Sequence, residues 1–207
     1  MKKSDITKEK ILRAAETAFG ERGLYGARVD EIAALAGVNK RMIYAHFGSK
    51  EELYVAVLDE VYSRIADQEQ QILSDDADPA ALMRKIIEGN FEFLCHNPTF
   101  VKMVLWENLN GGEYLKRSVA KTKKGASFLK LREILERGMK EGVFRDDIDM
   151  DEVILSSQMF VYSYFSNTHT MSYIMDRDFL GEESVKKRCR HITEMILGHI
   201  LKTGVNG

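Results

Sequence analysis

The chain has 207 residues, 44% of them apolar and 30% charged, with a formal net charge of −2; that is enough apolar material for one large or two small domains. No run of eighteen apolar residues occurs, and the start MKKSDITKEK is charged, so neither a membrane-spanning helix nor a secretory signal is expected and the cytoplasm is the expected compartment. The two cysteines, Cys95 and Cys189, are too few for a disulfide framework and are expected to be ordinary packed thiols, while two prolines and the lack of any alternating pattern make the class all-α.

A first helix is predicted from about Asp5 to Glu21, with Ile11, Leu12, Ala15, Ala18 and Phe19 on one face and Gly20 or Gly23 at its end. Next comes VDEIAALAGVNKRMIYAHFGSKEEL, residues 29–53, around which the chain is organised. Val29, Ile32, Ala33 and Ala36 recur at helical spacing, Gly37 suits a turn with positive φ, and Asn39 is a good N-cap for a second short run carrying Met42, Ile43 and Tyr44. This reads as a helix-turn-helix over about 29–47. From Gly37 to Lys50 the charged residues are Lys40, Arg41 and Lys50, with no carboxylate. Residues 1–50 hold ten Lys/Arg against six Asp/Glu, which leaves the remainder acidic and favours an anionic partner at this end. Ser49 and Glu52 have capping-box spacing, and Leu53, Val57, Val61 and Ile65 continue one long helix toward Ile72.

The string AGVNKRMIYAHFGSKEEL, with Ile32, Ala33, Ala36, Gly37, Val38, Ile43, Tyr44, Phe47, Lys50, Glu52 and Leu53 in fixed register, resembles the DNA-binding domain of TetR-type bacterial transcriptional regulators. Arg28 stands where such regulators usually carry a capping threonine or serine, and Arg41 with Met42 replaces the usual small residues at the start of the recognition helix. The resemblance implies a three-helix DNA-binding head over 5–65, joined by the long helix to an effector-binding and dimerisation domain over 66–207. It assigns DNA contact to Arg28, Asn39, Lys40, Arg41, Met42, Tyr44, His46 and Lys50, and the planar fork of Arg41 suits a guanine edge in the major groove. The plainer alternatives are interhelical packing for Tyr44, a surface residue for His46 and a solvated lysine for Lys50.

Beyond the polar stretch at 74–78, Asp78-Pro79 and Asn97-Pro98 each open a helix, the first with Leu82, Ile86, Ile87, Phe91 and Leu94 inward and the second closed by Asn110-Gly111-Gly112. One helical segment or a pair spans Glu113 to Glu141 and ends at Gly142. An eighth helix, Asp151 to Thr168, is apolar on nearly all sides, and a last one follows Gly181, giving about nine helices in all. In the last, Val185, Cys189, Ile192, Ile196 and His199 form a seam, and this helix together with the eighth is expected to pair with the same two helices of a second copy of the chain in a four-helix bundle. Phe91, Met103, Trp106, Asn108, Phe128, Met159, Tyr162 and Phe165 are candidates for an effector pocket, with core packing as the plainer alternative.

Cys95-His96, Ser156-Ser157, His169 and Cys189-x-His191 put nucleophiles and bases in the chain. Adjacent or alternate residues of a helix diverge, and no nucleophile elbow, phosphate loop or HExxH pair accompanies them, so neither catalysis nor a metal or cofactor is expected. The expected protein is a homodimeric repressor, released from a palindromic double-stranded operator by an unidentified small apolar or aromatic effector, with no membrane partner. The alternative is a dimeric DNA-binding protein without a small-molecule effector, regulated by a protein partner or by abundance.

Overall fold

The computed structural model describes residues 3–202, and ten α-helices form among them. They are α1 Lys3–Gly26, α2 Val29–Ala36, α3 Lys40–Phe47, α4 Lys50–Leu73, α5 Pro79–His96, α6 Pro98–Leu109, α7 Ala120–Lys140, α8 Met150–Ser166, α9 Thr168–Ile174 and α10 Glu182–Ile200. The all-α architecture agrees with the sequence. The tenth helix is α9, which the sequence did not announce, and a single 3-10 turn at Leu115–Arg117 precedes α7.

Side-chain caps place the helix starts. Asp78 Oδ1 accepts from Ala81 N at 3.0 Å with Pro79 in the first turn of α5, Ser49 Oγ accepts from Glu52 N at 3.0 Å, and Asp149 Oδ1 accepts from Asp151 N and Glu152 N ahead of α8. Each supplies an acceptor to an amide that the first turn leaves without one. Among the described residues no helix is long and apolar enough to cross a membrane.

The chain divides into two compact units. The first contains α1, α2, α3, α4 as far as Arg64, and also Pro98–Lys123. Ile11, Ala15, Phe19, Leu24, Ile32, Ile43, Leu53 and Tyr54 are buried at its centre, with Phe19 edge-on to Tyr54 at 5.0 Å between ring centroids. The segment Pro98–Lys123, which the sequence reading assigned to the second domain, packs here because α6 lies against α1. Trp106 Nε1 donates to Gly20 O at 3.3 Å, and Thr99 Oγ1 donates to Glu16 Oε1 at 2.7 Å. Gly23 sits inside α1 at φ 65°, and a Cβ there would come within 2.7 Å of the Trp106 ring. Only glycine satisfies both conditions, so the regular part of α1 stops where the sequence placed its end.

The second unit contains Ile65–Asn97 and the chain from Lys124 on. Its centre is α5, which packs on α8 and α10 and buries Leu82, Met83, Ile86, Ile87 and Phe91 among others. Glu69, with no exposed surface, accepts from Lys124 Nζ at 2.5 and 2.6 Å, so a buried carboxylate joins α4 to α7 through a paired cation.

Candidate nucleic-acid interface

The turn between α2 and α3 is built from three local choices. Gly37 adopts φ 65°, ψ 35°, and its N–H caps α2 by donating to Ala34 O at 3.1 Å; Val38 N then donates to Ala33 O at 3.0 Å. Asn39 is extended, and its Oδ1 accepts from Arg41 N at 2.9 Å, which starts α3 with one of its free amides satisfied. Ile43 is the one side chain of α3 that is fully buried, so a single apolar anchor fixes the helix while its other faces stay available.

The residues singled out from the sequence occupy different situations. Arg41 is exposed and its guanidinium makes no ion pair among the described residues; Met42 and Tyr44 beside it are 39% and 41% exposed. Asn39 is exposed as well, but its side chain is committed to the cap. Lys40 reaches back across the turn to Asp30, with Nζ–Oδ1 at 2.9 Å, and this hydrogen-bonded carboxylate holds the ammonium above its ordinary pKa. Arg28 is exposed at the N-cap of α2 and makes no side-chain capping bond, as expected for a residue that lacks the short acceptor of threonine or serine. His46 is half-buried with its ring 6.2 Å from that of Phe47.

Lys50 is not the freely solvated lysine of the plainer alternative. It is half-buried, and Nζ donates to Ala27 O at 3.0 Å, so it ties the start of α4 to the turn between α1 and α2 instead of lying free in solvent. An ammonium has three donors, and two remain for other acceptors. Two further interhelical links lay outside the sequence reading: Arg22 Nη1 to Glu31 Oε2 at 2.7 Å, and Lys8 Nζ over the Phe47 ring at 5.9 Å. The residues they join are nine and thirty-nine apart in the chain, and no periodic pattern signals such pairs.

The surface around α3 is thus a short helix with an unpaired arginine near its start, flanked by a thioether and a phenol and held by a glycine turn. Residues 11–57 match the family described as bacterial regulatory proteins, tetR family, and residues 79–196 match the tetracyclin repressor-like C-terminal domain. The chain belongs to the TetR family. This TetR-type chain is 33% identical over 195 residues to the HTH-type transcriptional repressor NicS of Pseudomonas putida, covering 94% of this chain and 92% of that one. It is 27% identical over 199 residues to the HTH-type transcriptional repressor KstR2 of Mycobacterium tuberculosis, covering 94% and 93%. The solved structure of that ketosteroid transcriptional regulator superposes with a TM-score of 0.68 at 25% identity, covering 94% of this chain and 95% of that one. As a TetR-type protein the chain is a DNA-binding transcriptional regulator.

The residues proposed for the effector pocket and the dimer are dispersed. Met103, Trp106 and Asn108 belong to the first unit, where Met103 is buried, Trp106 packs on α1 and the Asn108 amide bonds to Val104 O at 2.8 Å. Phe91, Phe128, Met159, Tyr162 and Phe165 belong to the second. There Phe91 is buried with its ring 5.8 Å from that of Phe165, Tyr162 and Phe165 are half-buried, and Phe128 and Met159 are exposed. In α10, Ile192 and Ile196 are buried within the chain itself, Val185 and Cys189 are half-buried, and His199 is exposed. The apolar seam read from spacing therefore turns mainly toward the chain's own core, where α10 packs on α5. The exposed apolar residues of this helix pair are Leu155 and Met159 on α8 and Met195 on α10. Cys95 is exposed, contrary to the packed thiol expected.

Proposed function

We propose that this regulator is a homodimeric repressor that binds a near-palindromic operator through α3 and is released by a small, apolar or aromatic effector. The observation that carries the DNA half is the exposed, unpaired guanidinium of Arg41, beside Met42 and Tyr44 on a helix anchored by Ile43. An arginine fork fits the two acceptors of a guanine edge, while Arg28, His46 and the free donors of Lys50 are suited to the phosphates on either side. Lys40 joins them only if phosphate competes with Asp30.

Dimerisation is favoured by Leu155, Met159 and Met195, which a single chain leaves 51%, 48% and 40% exposed on two helices that pack together. A dimer presents two recognition helices, and half-sites one helical turn apart, about 34–36 Å, match that symmetry. The effector acts by favouring a conformation in which α4 has carried the heads out of register with the operator. A hundredfold loss of DNA affinity requires tighter binding of the released conformation by about 2.7 kcal/mol. The repressor relatives support the direction of control, and the ketosteroid regulator among them is consistent with an apolar effector.

Footprinting the purified protein on DNA flanking its own gene tests this reading. Protection of two inverted half-sites at that spacing is the expected result, and uniform coating without a preferred site would overturn it.

A further inference from the structure

Within the second unit, residues from the end of α8, from α9 and the segment after it, and from the first half of α10 line an open cavity of about 560 Å³. Its apolar wall is made by Tyr164, Met171, Met175 and Phe179, and none of the eight effector candidates read from the sequence lines it. Three cations, Arg177, Lys187 and Arg188, stand around it, and no Asp or Glu does. None of the three has an ion-pair partner among the described residues. Arg188 Nε is enclosed without a hydrogen-bond partner, and the Arg177 guanidinium lies over the Phe179 ring at 5.3 Å with only Ser184 Oγ in reach, at 3.5 Å. The acid next in the chain, Asp178, is committed elsewhere: its Oδ1 accepts from Leu180 N and Gly181 N in the turn before α10.

An enclosed guanidinium N–H without an acceptor is costly, and of the three such arginine Nε groups, those of Arg64, Arg137 and Arg188, only that of Arg188 belongs to a residue lining this cavity, where a ligand can supply the acceptor. Two arginines at one cavity select a planar anion that takes paired hydrogen bonds. The thioethers and rings of the lining accommodate a flexible or flat apolar body. The Tyr164 hydroxyl donates to Phe179 O, and burial holds this phenol above its ordinary pKa, so it stays protonated and fixes the wall. We propose that this cavity is a binding site for a small carboxylate with an apolar or aromatic body, its carboxylate paired by Arg177 and Arg188 with Lys187 beside them. The occupant's role as effector rests on the function proposed above; the binding itself does not.

The protein, labelled with methyl-13C methionine, is titrated with sodium octanoate and sodium benzoate, and in parallel with octanamide and benzamide. The Met171 and Met175 methyl signals, assigned by Met→Leu substitution, should shift saturably with a carboxylate and not with its amide, while buried Met103 stays unmoved. Arg188→Gln and Arg177→Gln should each weaken carboxylate binding at least about tenfold, and Lys187→Gln, at an exposed position, by less. The site is refuted if the amides bind as well as the acids, if the arginine variants bind unchanged, or if neither acid moves the two signals at millimolar concentration. Should an arginine variant fail to fold, the acid-against-amide comparison on the unaltered chain still decides. Operator affinity is measured in the same samples. Saturable binding with unchanged operator affinity keeps the site and removes its effector role, whereas release of the operator by another small molecule in samples where neither acid moves these signals keeps the effector reading and removes the site.

Discussion

Helices α3 and α10 both look amphipathic, yet they use their apolar residues in opposite ways. In α3 the apolar Met42 and Tyr44 face outward and only Ile43 is buried. In α10 the five residues Ile192, Thr193, Ile196, Leu197 and Ile200 are buried, and the outward side is polar apart from Met195. Spacing shows that a helix has an apolar face; it does not show whether that face meets the chain's own core or another molecule. For α3 the fixed register of a whole motif gives an expectation, a face turned to another molecule. For α10 there is no such motif.

The largest expected effect breaks this comparison at α10. Ile192→Asp puts an unpaired charge at a fully buried position, which should cost several kcal/mol and yield unfolded chains by circular dichroism. The double substitution Leu155→Glu with Met159→Glu alters exposed positions of α8 and should leave the helical spectrum intact while giving monomers in sedimentation and loss of operator binding. A folded Ile192→Asp monomer would return the seam to α10, and a dimeric Leu155/Met159 variant would move the interface away from α8.

At α3 the expected effect is smaller and falls on binding. Arg41→Ala should cost about 1–3 kcal/mol of operator affinity and relax preference at one base pair per half-site, with the melting temperature unchanged. Lys50→Ala should differ in kind. Its ammonium holds Ala27 O, so the variant should melt earlier as well as bind all sequences more weakly, with a salt slope flatter by about one unit if a phosphate is also lost. Fluorescence anisotropy across a salt series, set beside thermal melts, separates the two. An unaltered melt for Lys50→Ala would make the clamp incidental.

Smaller again is the cap. Asn39→Ala removes the acceptor for Arg41 N and should cost about 1 kcal/mol of stability, read from urea unfolding, whereas Asn39→Asp should retain most of it. Equal stability of all three proteins would mean that the glycine turn alone positions α3.

What the sequence disclosed follows from what is local. Gly37, Asn39, Ser49 with Glu52, and Asp78 with Pro79 each act within four residues of the backbone they shape, and the structure shows each turn or cap. The seven-residue α9 lacks a side-chain cap and buries only Thr168, so it left neither a boundary signal nor a periodic one. Packing of α6 on α1 joins residues more than eighty apart, through Trp106 and Gly20, and its one local trace is the glycine at 23. The candidate DNA contacts lie together in the sequence, but the individual ties of Lys40 to Asp30 and Lys50 to Ala27 depend on the tertiary turn. The cations of the cavity beside α9, Arg177, Lys187 and Arg188, lie in a charged stretch of the sequence, and only the tertiary fold brings them to one cavity.

The finest test of the α3–α10 comparison changes no contact at all. Cys189 is half-buried on α10, and burial, with the Glu88 charge nearby, holds its thiol above its ordinary pKa; Cys95 at the end of α5 is exposed. Alkylation proceeds through the thiolate, so a raised pKa lowers the reactive fraction near neutral pH and burial limits access further. In the folded protein iodoacetamide should therefore label Cys95 well before Cys189, as read by mass spectrometry of the two peptides. The difference should narrow as pH rises, because deprotonation then ceases to limit Cys189 while access still does, and it should vanish in urea. Equal rates in the native protein would mean that this part of α10 opens readily, and that the inward face assigned to it is held only loosely.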